Sequence, residues 1–157
     1  WSPRFGFSTA HSEELRMRFW WLSVIAVFVA AIVAPHASAA DELTQLAVID
    51  QQIGTGAVAR FGMDVELIYT GWLYDENAKD HHGKKIDSSY DHGKTIVFTL
   101  GERQVIPGWD KGVKGMRVGG KRTLLIPPHL GYGARAVGDL VPPHSSLIFD
   151  IELVSAH

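Results

Sequence analysis

Side chains able to do covalent chemistry are scarce in this sequence and poorly arranged for it. There is no cysteine, which excludes thiol catalysis and disulfides. Ser88 and Ser89 follow Asp87, but no Gly-x-Ser-x-Gly elbow surrounds them and no histidine is spaced to complete a triad. Gly112, Gly115, Gly119 and Gly120 lack the spacing of a phosphate-cradling loop. Asp80, His81 and His82 could suggest a metal site. They sit in a polar stretch without a second ligand pair, and adjacent histidines in extended backbone point apart, so a solvated loop is expected there. What the chain does offer is rings: Tyr69, Phe98, Trp109, Tyr132 and Phe149. A single aromatic belongs by default to a core. Trp109, however, follows Pro107-Gly108 at the start of a short helical pattern, where a side chain can face the mouth of a sheet. Tyr132 is framed by Gly131 and Gly133, which exposes its phenol as a donor. Apolar walls with a few polar tips describe a ligand cleft.

The elements that must hold these rings are mostly strands. Residues 46–53, 65–73, 95–100, 121–126 and 146–154 are β-branched, aromatic or alternating, and glycine or proline punctuates them. The last is the clearest, with Leu147, Phe149, Ile151 and Leu153 on one face and Asp150 and Glu152 on the other. Trp109, Val113 and Met116 fall on one face of a helix over residues 108–116. Gly112 inside it costs about 1 kcal/mol relative to alanine, so packing must hold that helix. The expected fold is α+β: a five-stranded antiparallel sheet with one buried face, half-wrapped around one short helix.

The first forty residues have a different character. Residues 19–34 form an unbroken, mostly apolar run, preceded by Arg16 and Arg18 and followed by Pro35 and small residues ending Ala-Ser-Ala-Ala. This is the pattern of a secretory signal, with cleavage after Ala39 or Ala40. The alternative is an uncleaved membrane anchor, although a span needs about 20 apolar residues and this run stops at Pro35. Met17 is the natural start of such a signal. Residues 1–16 are thus expected to be upstream translation, 17–40 the signal peptide and 41–157 the working domain, exported and, in a bacterium, periplasmic. A formal net charge of −2 argues against a nucleic-acid partner. No membrane association is expected once the signal is removed.

Five segments then carry a resemblance: YTG at 69–71, GKKIDSS at 83–89, LGERQVIPGWDKGVKGM at 100–116, VGGKRTLLIPPHLGYG at 118–133 and VPPHSSLIFDIELV at 141–154. In this order they resemble the FKBP-type peptidyl-prolyl cis-trans isomerases, over nearly all of residues 45–155. The insertion at 75–82 is similar to the longer loop of proteobacterial members. The resemblance implies a pocket between helix and sheet. Trp109 forms its floor under the substrate proline, and Tyr69, Phe149, Val105 and Ile106 form walls. Tyr132 and the Ile106 N–H donate to substrate carbonyls, and Asp87 is the charge at the rim. Leu140 and Val141 line the far lip, and Phe98 joins the substrate-contacting set. Ile86 and Ile96 stand where the family usually has phenylalanine, which makes the pocket wider or softer. His92 stands where an arginine often pairs with the aspartate, and Val137 where some members have histidine.

The implied activity is rotation about X–Pro bonds, a rotamase aiding the folding of exported proteins. It calls for no cofactor and no metal. The implied partners are proline-containing polypeptides and macrolides of the rapamycin class, and a monomer is expected. A non-catalytic module holding proline segments or a macrolide, or acting as a chaperone, is the alternative, favoured by the two isoleucines. A metal-linked chaperone using His81 and His82 is a third.

Overall fold

The computed structural model describes residues 43–157. The expected signal segment and the stretch before it lie outside the described residues. Six strands form one antiparallel sheet: β1 (Ala47–Gln52), β2 (Asp64–Tyr74), β3 (His82–Ser88), β4 (Ile96–Thr99), β5 (Lys121–Ile126) and β6 (Leu147–Ala156). Their spatial order is β1-β5-β6-β2-β3, with β4 also paired to β2. The first half of β2 pairs with β4, from Asp64↔Thr99 to Leu67↔Ile96. Its second half pairs with β3, from Thr70↔Ser88 to Tyr74↔His82. Strands β3 and β4 therefore share one edge of the sheet; the five expected strands are all present and β3 is a sixth.

Strand β3 is where the expectation of a loop fails. His82 belongs to it, its ring tilted against Trp72 with centroids 4.2 Å apart. The segment HGKKIDS has no alternation of apolar residues to announce a strand. It is extended because β2 runs on past β4 and presents unpaired N–H and C=O groups that must be satisfied. Between β3 and β4, a one-turn helix α1 (Ser89–His92) is capped by the Ser88 hydroxyl and ended by Gly93 at φ 62.

The helix expected over 108–116 is α2, Pro107–Val113. Proline at its first position is pre-set for helix and lacks the N–H that would go unpaired there. The helix stops at Lys114, whose backbone is extended, and Gly115 turns at φ 84. Met116 is still buried, although it lies past the helix. Both helical glycines have a packing reason. A Cβ on Gly108 would come within 2.6 Å of Ile126, and one on Gly112 within 2.6 Å of Leu124. The smooth face lets α2 lie flat on β5, and that contact offsets the intrinsic cost of glycine. Arg122 of β5 fixes the far end, donating to the Gly112 carbonyl at 2.6 Å and to Asp50 of β1 at 2.7 Å. The core lies between α2 and the inward face of the sheet, where Val65, Leu67, Val113, Leu124, Leu147 and Leu153 are fully buried.

Candidate active site

At one end of this core the packing opens into a cavity of about 880 Å³. Trp109 lies at its base. Placed by the first turn of α2, it is only 4% exposed, yet it lines the cavity. Three rings surround the indole. Tyr69 meets it edge-on at 4.9 Å, Phe149 at 5.2 Å with planes 89° apart, and Phe98 at 6.0 Å. The indole Nε1 is buried and has no hydrogen-bond partner among the described residues.

The sheet positions each wall by a local device. Tyr69 points inward by the alternation of β2. Its backbone is pinned by two buried hydroxyls: its N–H donates to Ser89 Oγ at 3.0 Å, and its carbonyl accepts from Ser88 Oγ at 3.2 Å. The serines beside Asp87 are thus clamps for a wall residue, not nucleophiles. Phe149 sits opposite Gly71 in the β2–β6 register. Any Cβ on Gly71 would collide with the Phe149 ring, so this glycine lets the ring lie across the strand. Between β2 and β3, Gly71 pairs with Asp87 and Trp72 with Lys85, which leaves Ile86 of β3 as an extra residue. Adjacent residues of a regular strand face opposite ways, and a bulge re-aims one of them. Here Ile86 and Asp87 both line the cavity.

Asp87 is heavily bonded. Its Oδ2 accepts from the Tyr69 hydroxyl at 2.5 Å, its Oδ1 lies 2.7 Å from His92 Nε2, and the Ser88 N–H donates to it at 2.8 Å. Burial pushes its pKa up, but the bonds from Tyr69, His92 and Ser88 outweigh burial and hold it below the usual carboxylate value. The turn of α1 is what carries His92 back onto Asp87. Burial, then the hydrogen bond and charge of Asp87, raise the Tyr69 hydroxyl far above the ordinary phenol. Burial, then the same charge, also raise Tyr132. Both phenols stay protonated and able to donate. Tyr132 stands in the loop after β5 and its hydroxyl has no hydrogen-bond partner among the described residues; the Ile106 N–H, at the N-cap of α2, is likewise unpaired there.

Of the residues singled out from sequence, Tyr69, Ile86, Asp87, Ile96, Val105, Ile106, Trp109, Tyr132, Leu140, Val141 and Phe149 come together on this cavity. Phe98 does not: it is 4% exposed and packs behind Trp109 as a support. Gln104 and Arg135 line the cavity and were not anticipated. Their only signal was nearness to Val105 and Tyr132 in the chain, which does not tell which way a loop side chain faces. Among the described residues, no group of three or more His, Cys, Asp or Glu is placed to hold a metal ion.

The chain matches the family described as FKBP-type peptidyl-prolyl cis-trans isomerase over residues 56–154. It is 46% identical over 112 residues to an FK506-binding protein of Neisseria meningitidis serogroup A, covering 71% of this chain and 96% of that one. It is 47% identical over 114 residues to FK506-binding protein 1A of Neurospora crassa, covering 72% and 89%. Among solved structures it resembles AtFKBP13 with a TM-score of 0.64 at 40% identity, over 75% of this chain and 98% of that one. FkpA from Escherichia coli matches with a TM-score of 0.61 at 32% identity, over 90% of this chain and 56% of that one. An aromatic hollow between one helix and an antiparallel sheet, matched over this length, places the chain in the FKBP-type peptidyl-prolyl cis-trans isomerase family.

Proposed function

We propose that the cavity floored by Trp109 is where this isomerase takes the proline ring of an exported polypeptide, and that desolvation there drives the rotation. Turning an amide about its C–N bond breaks conjugation and faces a barrier of about 18–20 kcal/mol. Unaided X–Pro bonds exchange in about tens to hundreds of seconds. No bond to a second atom forms, so no nucleophile is required. The planar amide is more polar than the twisted one, and water therefore favours the ground state. A hollow walled by Tyr69, Phe149, Val105, Ile86 and Ile96 removes that water. The Tyr132 hydroxyl and the Ile106 N–H, free of other partners among the described residues, are the donors for substrate carbonyls, and selective donation to the twisted form lowers the barrier further. A 10⁴-fold acceleration requires about 5 kcal/mol, within reach of desolvation and one or two such bonds.

Asp87 has a positioning role. It orients the Tyr69 hydroxyl away from the proline ring, and its own charge is covered by three donors. The observation that carries this reading is the indole of Trp109, buried among rings and still lining an open cavity. It is tested by exchange NMR on a short Ala-Pro peptide. Trp109→Leu should lower kcat/KM while the folded spectrum persists, and undiminished turnover in that variant would remove the site assignment.

Relatives that carry the name FK506-binding protein support macrolide binding in the same cavity. A macrolide of that class should therefore compete with the peptide, more weakly where Ile86 and Ile96 replace larger rings. The apolar run at 19–34 with its Ala-Ser-Ala-Ala tail supports export and a periplasmic location of a domain from about residue 41 onward. Expression of the whole chain with N-terminal sequencing of the envelope fraction tests this, with Ala40 or Asp41 as the expected first residue. An N-terminus at or before Met17 would sink the cleavage.

A further inference from the structure

We infer that Arg135 gives this isomerase a preference for prolines flanked by an acidic residue. The inference rests on the placement of the proline in the Trp109 cavity. Among the described residues, the acidic and basic side chains lining that cavity are Asp87, His92 and Arg135, with Gln104 an amide neighbour. Asp87 is consumed by the Tyr69 hydroxyl, by His92 at 2.7 Å and by the Ser88 N–H. Arg135 makes no ion pair and no side-chain hydrogen bond among the described residues, and Asp139, in the same loop, does not pair with it. The permanent charge left open to a ligand at this cavity is therefore positive. The backbone that carries it is held in place. The Arg135 N–H donates to the Tyr132 carbonyl at 3.1 Å, and a Val137–Val141 bridge closes the loop beyond it. Arg135 thus stands one turn from the hydroxyl that meets the substrate backbone, within reach of a side chain next to the proline.

A guanidinium matches a carboxylate in a planar fork and repels lysine or arginine. At an exposed rim the expected discrimination is modest, about twofold to fivefold for glutamate over lysine. It should weaken with salt as the screening length shrinks from about 10 Å at 0.1 M to about 3 Å at 1 M. Exchange NMR on two peptide series tests it, one varying the residue before proline and one the residue after, each with Glu, Gln and Lys. In the wild type, kcat/KM in at least one series should rank Glu above Gln above Lys. Arg135→Glu should reverse the order, Arg135→Lys should restore it, and about 1 M salt should flatten it. A ratio that is one in the wild type, or unmoved by Arg135→Glu or by salt, overturns the inference while leaving the isomerase site intact. Failure of the wild type to turn over any of the peptides would sink the placement of the site and this inference with it.

Discussion

The sheet carries two hollows of similar size, and only one is built for this reaction. On the inward face, about 880 Å³ is walled by rings and aliphatic side chains. On the outward face, a groove of about 800 Å³ runs past Lys121, Thr123, Asp150 and Glu152. There Thr123 donates to Asp150 at 2.6 Å and accepts from Gln51 at 3.3 Å. His82 Nε2 lies 3.4 Å from Asp150, too poorly aligned for a hydrogen bond. The same sheet thus lines a ring-floored hollow on one side and a groove with more hydrogen-bonded polar side chains on the other, because alternate side chains of a strand face opposite ways. Volume does not separate them. What does is the indole floor: Trp109, with Phe149 beside it, lines only the inward hollow, and a twisted amide gains from leaving water where such ring faces take the place of that water.

The contrast can be broken most strongly at its floor. Trp109→Leu should cut kcat/KM on an Ala-Pro peptide by about tenfold or more, equivalent to at least about 1.4 kcal/mol of barrier, while circular dichroism still reports a folded sheet. Gly71→Ala comes next. Its methyl must displace the Phe149 ring, at a cost of about 1–3 kcal/mol in stability by chemical denaturation together with a fall in kcat. On the outward face, Thr123→Val removes two hydrogen bonds and should cost about 1–2 kcal/mol while leaving kcat/KM on the same peptide unchanged. An equal loss of activity there would erase the distinction between the two faces.

The smallest effect is one of pH. The folded pKa of Asp87 is depressed, so its contribution to stability is complete above the unfolded value near about 4 and is lost as pH falls through the lower folded one. The difference in Tm between wild type and Asp87→Leu should be constant from about pH 7 to pH 5 and narrow below about pH 4. Because the Asp87 side chain is 44% exposed, that narrowing is small. A difference that widens in acid would mean the carboxylate is not held by Tyr69, His92 and Ser88 as described.

Much of the fold was legible in the chain because hydrophobic period and burial agree. The alternation of 147–153 and the Trp109–Val113–Met116 stripe each declare the face that meets the core, and each meets it. Strand β3 was not legible, since its pairing is dictated by β2 and not by its own apolar content. The bulge at Ile86 was hidden for the same reason: register is a property of two strands. Phe98 and Phe149 look equally aromatic in sequence, but one supports Trp109 from behind and the other forms a wall.

By itself, the order of residues determined which chemistry is absent, which faces are apolar and which rings and donors the domain can offer. These follow from side-chain type and local period, which need no partner. Tertiary structure alone decided that Ser88 and Ser89 clamp Tyr69, that three donors cover Asp87, and that Arg135 is left uncovered at the cavity. The bonds to Tyr69 join residues 18 to 20 positions apart, His92 reaches Asp87 only through the turn of α1, and whether Arg135 is covered depends on what the folded loop places beside it.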